Sequence, residues 1–406
     1  MTAASPPPFV ELAARLARYP ADHYPIQHAT ASFHLGCALT EAGRFAEAER
    51  ALAVAAELFG PDRVERAKAV NARGAALRAA GAPGAAADYF QQAAAGFAAA
   101  GLPLERGAAL FNLGLVRREL GADAIDCFRQ ARTLLDADRV PGPAAAAARE
   151  LGAALLTAGD AEAAARVLAD AGALAECGRD LAGLGASLNT LGLARLAQGA
   201  PREAVEAFLG AAGAHPRSVR PEGHAMAVAN LALAYERSGE PVRARFAARQ
   251  ALGVPGAPAP VRSTADAVLQ RLGRGPGDLL DVLDLEPAEQ WPQVVREELV
   301  RWSDAPPADR AAAVDAFVDG VVARPATAAD LVATWLGGLL ELPPASMTAL
   351  VIATLRALRD RPADQVERVR SLVARGCARY HIPQMDRLTR TFEALAAEHG
   401  GPRSWR

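Results

Sequence analysis

The sequence predicts an all-α protein, an α-solenoid of about six helical hairpins followed by a C-terminal helical bundle. Three observations lead there. About a hundred of the 406 residues are alanine, the strongest helix former. A glycine recurs at Gly36, Gly74, Gly114, Gly152 and Gly192, with Ala232 in the sixth copy, and each is followed seven residues later by Gly43, Gly81, Gly121, Gly159, Gly199 or Gly239. Past residue 272 that spacing stops, and all four tryptophans, Trp291, Trp302, Trp335 and Trp405, lie beyond it.

The first element, within residues 1–28, is an amphipathic helix over Phe9–Tyr19 that caps the array. Residues 29–272 then hold the hairpins. A glycine inside a helix costs about 1 kcal/mol against alanine, so its recurrence predicts that another backbone comes close there. The second glycine of each pair supplies the left-handed residue that ends a helix, and the helix after it opens on Pro or Ala. That second helix carries an alanine and a large apolar residue four apart: Ala48 with Leu52, Ala86 with Phe90, Ala164 with Leu168, Ala204 with Phe208. One hairpin cannot bury such a stripe alone, and stacking does it. In the third unit Phe128 follows Gly121 by seven residues where its neighbours have nine, which predicts a tighter turn between its helices. Val261–Leu272 reads as the closing helix of the array, set off by the breakers Gly253–Pro260 and Gly273–Gly277. In residues 273–406, start signals at Ser303–Pro307, Pro325–Thr327, Pro343–Ser346 and Arg361–Asp364 predict about six short helices.

At this point Leu35, Gly36, Leu39, Gly43, Phe45, Ala48, Leu52, Ala55 and Pro61 carry a resemblance: the copy is similar to the tetratricopeptide repeat. The resemblance covers about residues 29–252, is close also around Gly152 and Gly192, and is weaker at Gly74 and Ala232. The period of 38 to 40 residues exceeds the usual ~34 and points to longer helices. The resemblance implies that an extended peptide is held by the first helix of each hairpin, on the concave side.

Those first helices contain the four asparagines of the chain, Asn71, Asn112, Asn189 and Asn230, each two or three residues before the central Gly or Ala. An amide there either grips a ligand backbone, giving and accepting hydrogen bonds, or bonds the next hairpin and staples the array. The same helices carry Lys68, Arg78, Arg118, Arg149 and Arg237, with Arg73, Arg117 and Arg195, against Glu41, Glu119, Glu150 and Glu236. Either this basic lean receives an acidic peptide or anionic molecule through the two-point geometry of arginine, or the nearby glutamates neutralise it. Phe33 and Phe111 flank these positions, either as anchors for a ligand or as helix-packing aromatics, and His34 is a further candidate groove residue. His34 with Cys37, and Cys377 with His381, have helical spacing for a thiolate–imidazole pair, but neither has a third group, and a lone cysteine on an alanine-rich helix reads as a small core residue.

Composition narrows the function. With 44 basic and 46 acidic side chains the chain lacks the net positive field that drives unspecific nucleic-acid or lipid binding, so neither a direct nucleic-acid nor a membrane partner is expected. Lys68 is the sole lysine, and its Arg66–Ala69 setting excludes a phosphate loop. The four cysteines lack zinc spacing, and Met1–Val10 has three prolines and no cationic start, so a reducing cytoplasm is expected and no cofactor is implied. The expected function is a cytoplasmic adaptor or regulator that binds a protein segment or an anionic ligand in the solenoid groove. The alternative is an enzyme or biosynthetic accessory factor with a pocket between solenoid and bundle. The oligomeric state is left open.

Overall fold

The computed structural model describes residues 8–60, 62–273, 275, 278–400, 402, 404 and 405. Pro61 of the repeat pattern, most of Met1–Val10, and Arg274, Pro276 and Gly277 of the second breaker lie outside the described residues. About four-fifths of the chain is helical, with no strand among the described residues. It divides into two compact units, Met1–Gly199 and Ala200–Arg406. The compositional change at residue 272 falls inside the second.

The first unit opens with α1 (Pro8–Arg18), whose Phe9 packs against Leu39, Ala48 and Leu52. Four hairpins follow: α2 (Pro25–Glu41) with α3 (Phe45–Leu58), α4 (Arg63–Ala79) with α5 (Pro83–Ala99), α6 (Pro103–Glu119) with α7 (Ile125–Leu134), and α8 (Pro141–Thr157) with α9 (Ala161–Cys177). The unit closes with α10 (Leu181–Ala197). Each first helix is 17 residues long, as the stretched period suggests. The stop signal behaves as expected. Gly43, Gly81, Gly121, Gly159 and Gly199 all have φ between 70° and 87°, and the N–H after the turn reaches back to close it, as from Arg44 to the Leu39 carbonyl at 2.8 Å.

The recurring mid-helix glycines face something other than the backbone expected for them. A Cβ on Gly36 would lie 2.4 Å from Leu52 Cγ, on Gly152 2.4 Å from Leu168 Cγ, on Gly114 2.6 Å and on Gly74 3.0 Å from the rings of Phe128 and Phe90. What approaches is the large apolar side chain of the hairpin's own second helix. It stands sixteen residues later in three hairpins and fourteen in the third. That two-residue deficit does not tighten the third turn, contrary to the sequence expectation. The turn lengthens to Leu120–Ala124, α7 starts four residues after Gly121 rather than two, and the Asp123 carboxylate accepts the Ile125 N–H at 2.9 Å. The helix has lost its first turn so that Phe128 keeps its seat over Gly114.

Within this unit α2 touches α4, α4 touches α6 and α8 touches α10, so the first helices form the more closely spaced, concave layer. Helices α3, α5, α7 and α9 form the outer layer.

The second unit begins with α11 (Pro201–Ala214), α12 (Pro221–Arg237), α13 (Pro241–Leu252) and α14 (Ala259–Leu272), each packed on the next or next but one. After the short α15 (Leu279–Leu283) and a 3-10 turn at Ala288–Gln290 come α16 (Trp291–Asp304), α17 (Pro307–Ala323), α18 (Ala328–Glu341), α19 (Pro344–Arg359), α20 (Ala363–Cys377) and α21 (Ile382–His399). These six have 14 to 18 residues, longer than the short helices expected, and four of them, α17 to α20, start at or beside the signals read in the sequence. Packing alternates: α16, α18 and α20 touch in series, as do α17, α19 and α21, which makes two layers over one core. Through that core runs a chain of rings, Trp302, Phe317, Trp335, Phe392 and Trp405, with successive centroids 4.7 to 6.3 Å apart. Trp302 and Trp335 are therefore core.

Candidate functional site

Three residues before the packing glycine, the five concave helices of the first unit present Phe33, Asn71, Phe111, Arg149 and Asn189 in the same register. All five are half-buried, because this position borders the face that packs on the second helix. One residue on, His34 is exposed, and Asn112 and Glu150 are half-buried. Phe33 packs into the core clusters on both sides of it, and Phe111 meets Phe128 at 5.9 Å between centroids, so both rings are also structural. The Asn71 Oδ1 is buried without a hydrogen-bond partner. Asn189 has partners within the protein.

Several cations of this layer are taken up by nearby glutamates, while Arg195 bonds Gln198 at 3.0 Å. Arg78 donates through Nε to Glu119 of the next concave helix at 2.8 Å, Arg118 pairs with Glu150 of α8, and Lys68 Nζ bonds Glu65 at 2.6 Å. Arg73 bridges to Glu49 and lies 4.4 Å over the Tyr89 ring. Arg149 is different. Its one side-chain partner is the neighbouring Glu150 at 3.4 Å, which already serves Arg118. Burial holds its guanidinium below the usual arginine range; Asp180 pulls the other way and the like charge of Arg118 adds to the lowering. A planar fork of five donors thus sits half-buried with most of its hydrogen-bonding capacity unmet.

Asn230 and Arg237, the remaining residues that the sequence placed in the groove, belong to α12 in the second unit. Asn230 is buried, Arg237 is exposed, and both have partners within the protein. The cysteine–histidine pairs do not form reactive sites. Burial pushes the Cys377 thiol up to about 11, and burial with Glu41 raises that of Cys37, the opposite of thiolate activation.

The second unit contains concavities that the sequence did not reveal. One, of about 440 Å³, is walled by α11, α12, α13, α15 and α16 and includes Tyr235, Arg243, Gln250, Glu286 and Glu297. Another, of about 340 Å³, has at its floor the buried Glu298, which accepts from Arg301 and from Trp302 Nε1 at 2.8 Å. Residues from α11 to α16 are separated by more than ninety positions at the extreme, from Val205 to Glu297, and no local spacing marks their convergence. His224, on a third hollow, places Nδ1 3.1 Å from the His215 carbonyl oxygen, a structural bond.

No protein-family model matches the chain, and no curated protein matches its sequence. Solved structures resemble the chain at low identity. The apo form of RapI aligns with a TM-score of 0.51 and 11% identity, over 86% of this chain and 91% of that one. BtubC from P. vanneervenii gives 0.45 and 19%, over 51% and 89%. A putative kinesin light chain from Podosopora anserina, with nearly identical TPR-like repeats, gives 0.38 and 18%, over 53% and 100%. The repeat is of the tetratricopeptide type. Among the described residues no helix is long and apolar enough to cross a membrane.

Proposed function

We propose that this protein is a cytoplasmic adaptor or regulator that holds an extended peptide segment along the concave helices of its first unit. The observation that carries this reading is Arg149, a half-buried guanidinium whose fork is largely unmet while those of Arg78 and Arg118 are matched. A ligand carboxylate, from an acidic side chain or a free C-terminus, completes it with two parallel bonds. Asn112 and Asn189, on the helices to either side, hold the ligand backbone, and Phe33, His34 and Phe111 border its path. Lys68, Arg78 and Arg118 sit in ion pairs on the same layer and act on the ligand only through the summed field.

Selection from a library of random peptides displayed with free C-termini tests this. The selected peptides should carry a carboxylate. Arg149→Gln should weaken their binding about tenfold and reduce its salt dependence. Asn112→Ala should cost roughly 0.5 to 1.5 kcal/mol of binding, with the melting temperature unchanged, and Asn189→Ala should weaken binding by a similar amount. Variants that melt early yet bind as before would make the asparagines staples of the array and overturn the reading.

A further inference from the structure

The 440 Å³ hollow of the second unit is a binding site of opposite preference: we infer that it takes a basic side chain, lysine or arginine, of a peptide segment. Its walls are apolar, with Leu231, Phe246 and Val282 from three helices and Val294 from a fourth, and the exposed Leu209 stands at the rim. Three carboxylates, Glu240, Glu286 and Glu297, share it with one cation, Arg243. That cation is engaged through all three of its nitrogens. Its Nε donates to Glu286 at 2.6 Å, Nη1 pairs with Glu240, Nη2 reaches the Leu285 carbonyl at 3.3 Å, and the guanidinium lies 5.9 Å from the Tyr235 ring centre.

Glu297 is left over. Its contact is the Gln293 amide at 3.5 Å, and it belongs to no ion pair. A half-buried carboxylate beside an apolar wall is stabilised by a cation whose stem is itself apolar, the property of lysine and arginine side chains. A second observation points to a peptide rather than a free amine. Gln250 Nε2, on the same wall, is buried without an acceptor. Buried donors in native structures are almost always satisfied, and the carbonyl of a peptide backbone supplies what this one lacks. A polyamine offers neither a carbonyl nor a side chain for Phe246 and Val294.

Calorimetric titration of the full chain with the capped peptide acetyl-Ala-Leu-Lys-Leu-Ala-amide, its uncharged norleucine analogue and spermidine tests the inference. The lysine peptide should bind about tenfold more tightly than the analogue, with an affinity that falls as salt is raised. Glu297→Gln should remove that preference. Leu209→Ala, at a half-exposed position that the fold does not depend on, should weaken both peptides. Arg149→Gln, in the other unit, should change none of this, so a failure of the concave-face reading leaves this one standing. Equal affinity for the two peptides, a lysine preference that survives Glu297→Gln, or no heat at millimolar peptide would overturn it. So would spermidine binding as tightly as the peptide.

Discussion

Gly152 shows how much one residue decides in this array. Its missing Cβ leaves the space that Leu168 Cγ occupies, and Leu168 is fully buried. In an open helix Gly→Ala gains about 1 kcal/mol; here overpacking should reverse the sign, costing roughly 1 to 3 kcal/mol. Gly84 of α5 is the control, since a Cβ there would meet nothing within 4 Å. Thermal melts should show Gly152→Ala lowering the midpoint by several degrees while Gly84→Ala holds or raises it; two shifts of the same sign would refute the packing role. His215 makes the second prediction. It is buried against Gly223 with Nδ1 unpartnered, and burial, then the charges of Arg220 and His224, hold its pKa below the ordinary histidine value. A depressed folded pKa means that the unfolded chain binds the proton first. The stability it contributes is present above about pH 6.5 and is lost as pH falls below that. Urea midpoints at pH 7.5 and pH 5 should therefore drop further in the wild type than in His215→Phe.

At the scale of elements, most boundaries were legible because they are written in two local residues. Proline at the first positions starts α5, α6, α8, α12, α17 and α19, and glycine at positive φ ends the first helix of each hairpin. What local signals miss is compensation over distance. The shortened Gly121–Phe128 interval was visible, but its consequence depends on Phe128 having to reach Gly114, so the chain gives up a helical turn rather than the contact. The place of the tryptophans was hidden for a similar reason. Their clustering in sequence is real, yet Trp302 and Trp335 lie in one ring chain inside the core, and burial is decided by how α16 and α18 stack. The third hairpin also yields a prediction. Asp123→Ala removes the acceptor for the Ile125 N–H at the start of α7 and should cost about 0.5 to 1.5 kcal/mol, the usual net worth of one hydrogen bond. Chemical denaturation checks it; an unchanged midpoint would mean that the lengthened turn needs no cap.

For the whole molecule, near-neutral charge conceals a sorting of charges that composition cannot express. The concave layer of the first unit has matched Arg78 to Glu119 and Arg118 to Glu150 across helices about forty and thirty residues apart, and Arg149 alone of these three is left underserved. The candidate row was legible, since its register follows from the glycine spacing. Which of its arginines remain available was not, because pairing depends on the superposition of successive hairpins. Placing the photo-crosslinker benzoylphenylalanine at position 112 on the concave layer, or at the exposed Val54 of α3 on the outer layer, tests the central claim most directly. After irradiation in lysate of the native host, the account predicts discrete protein adducts from position 112 that are lost when Arg149→Gln is added, and none of these from position 54. Adducts from position 54 alone, or the same adducts from position 112 with and without Arg149, would contradict it.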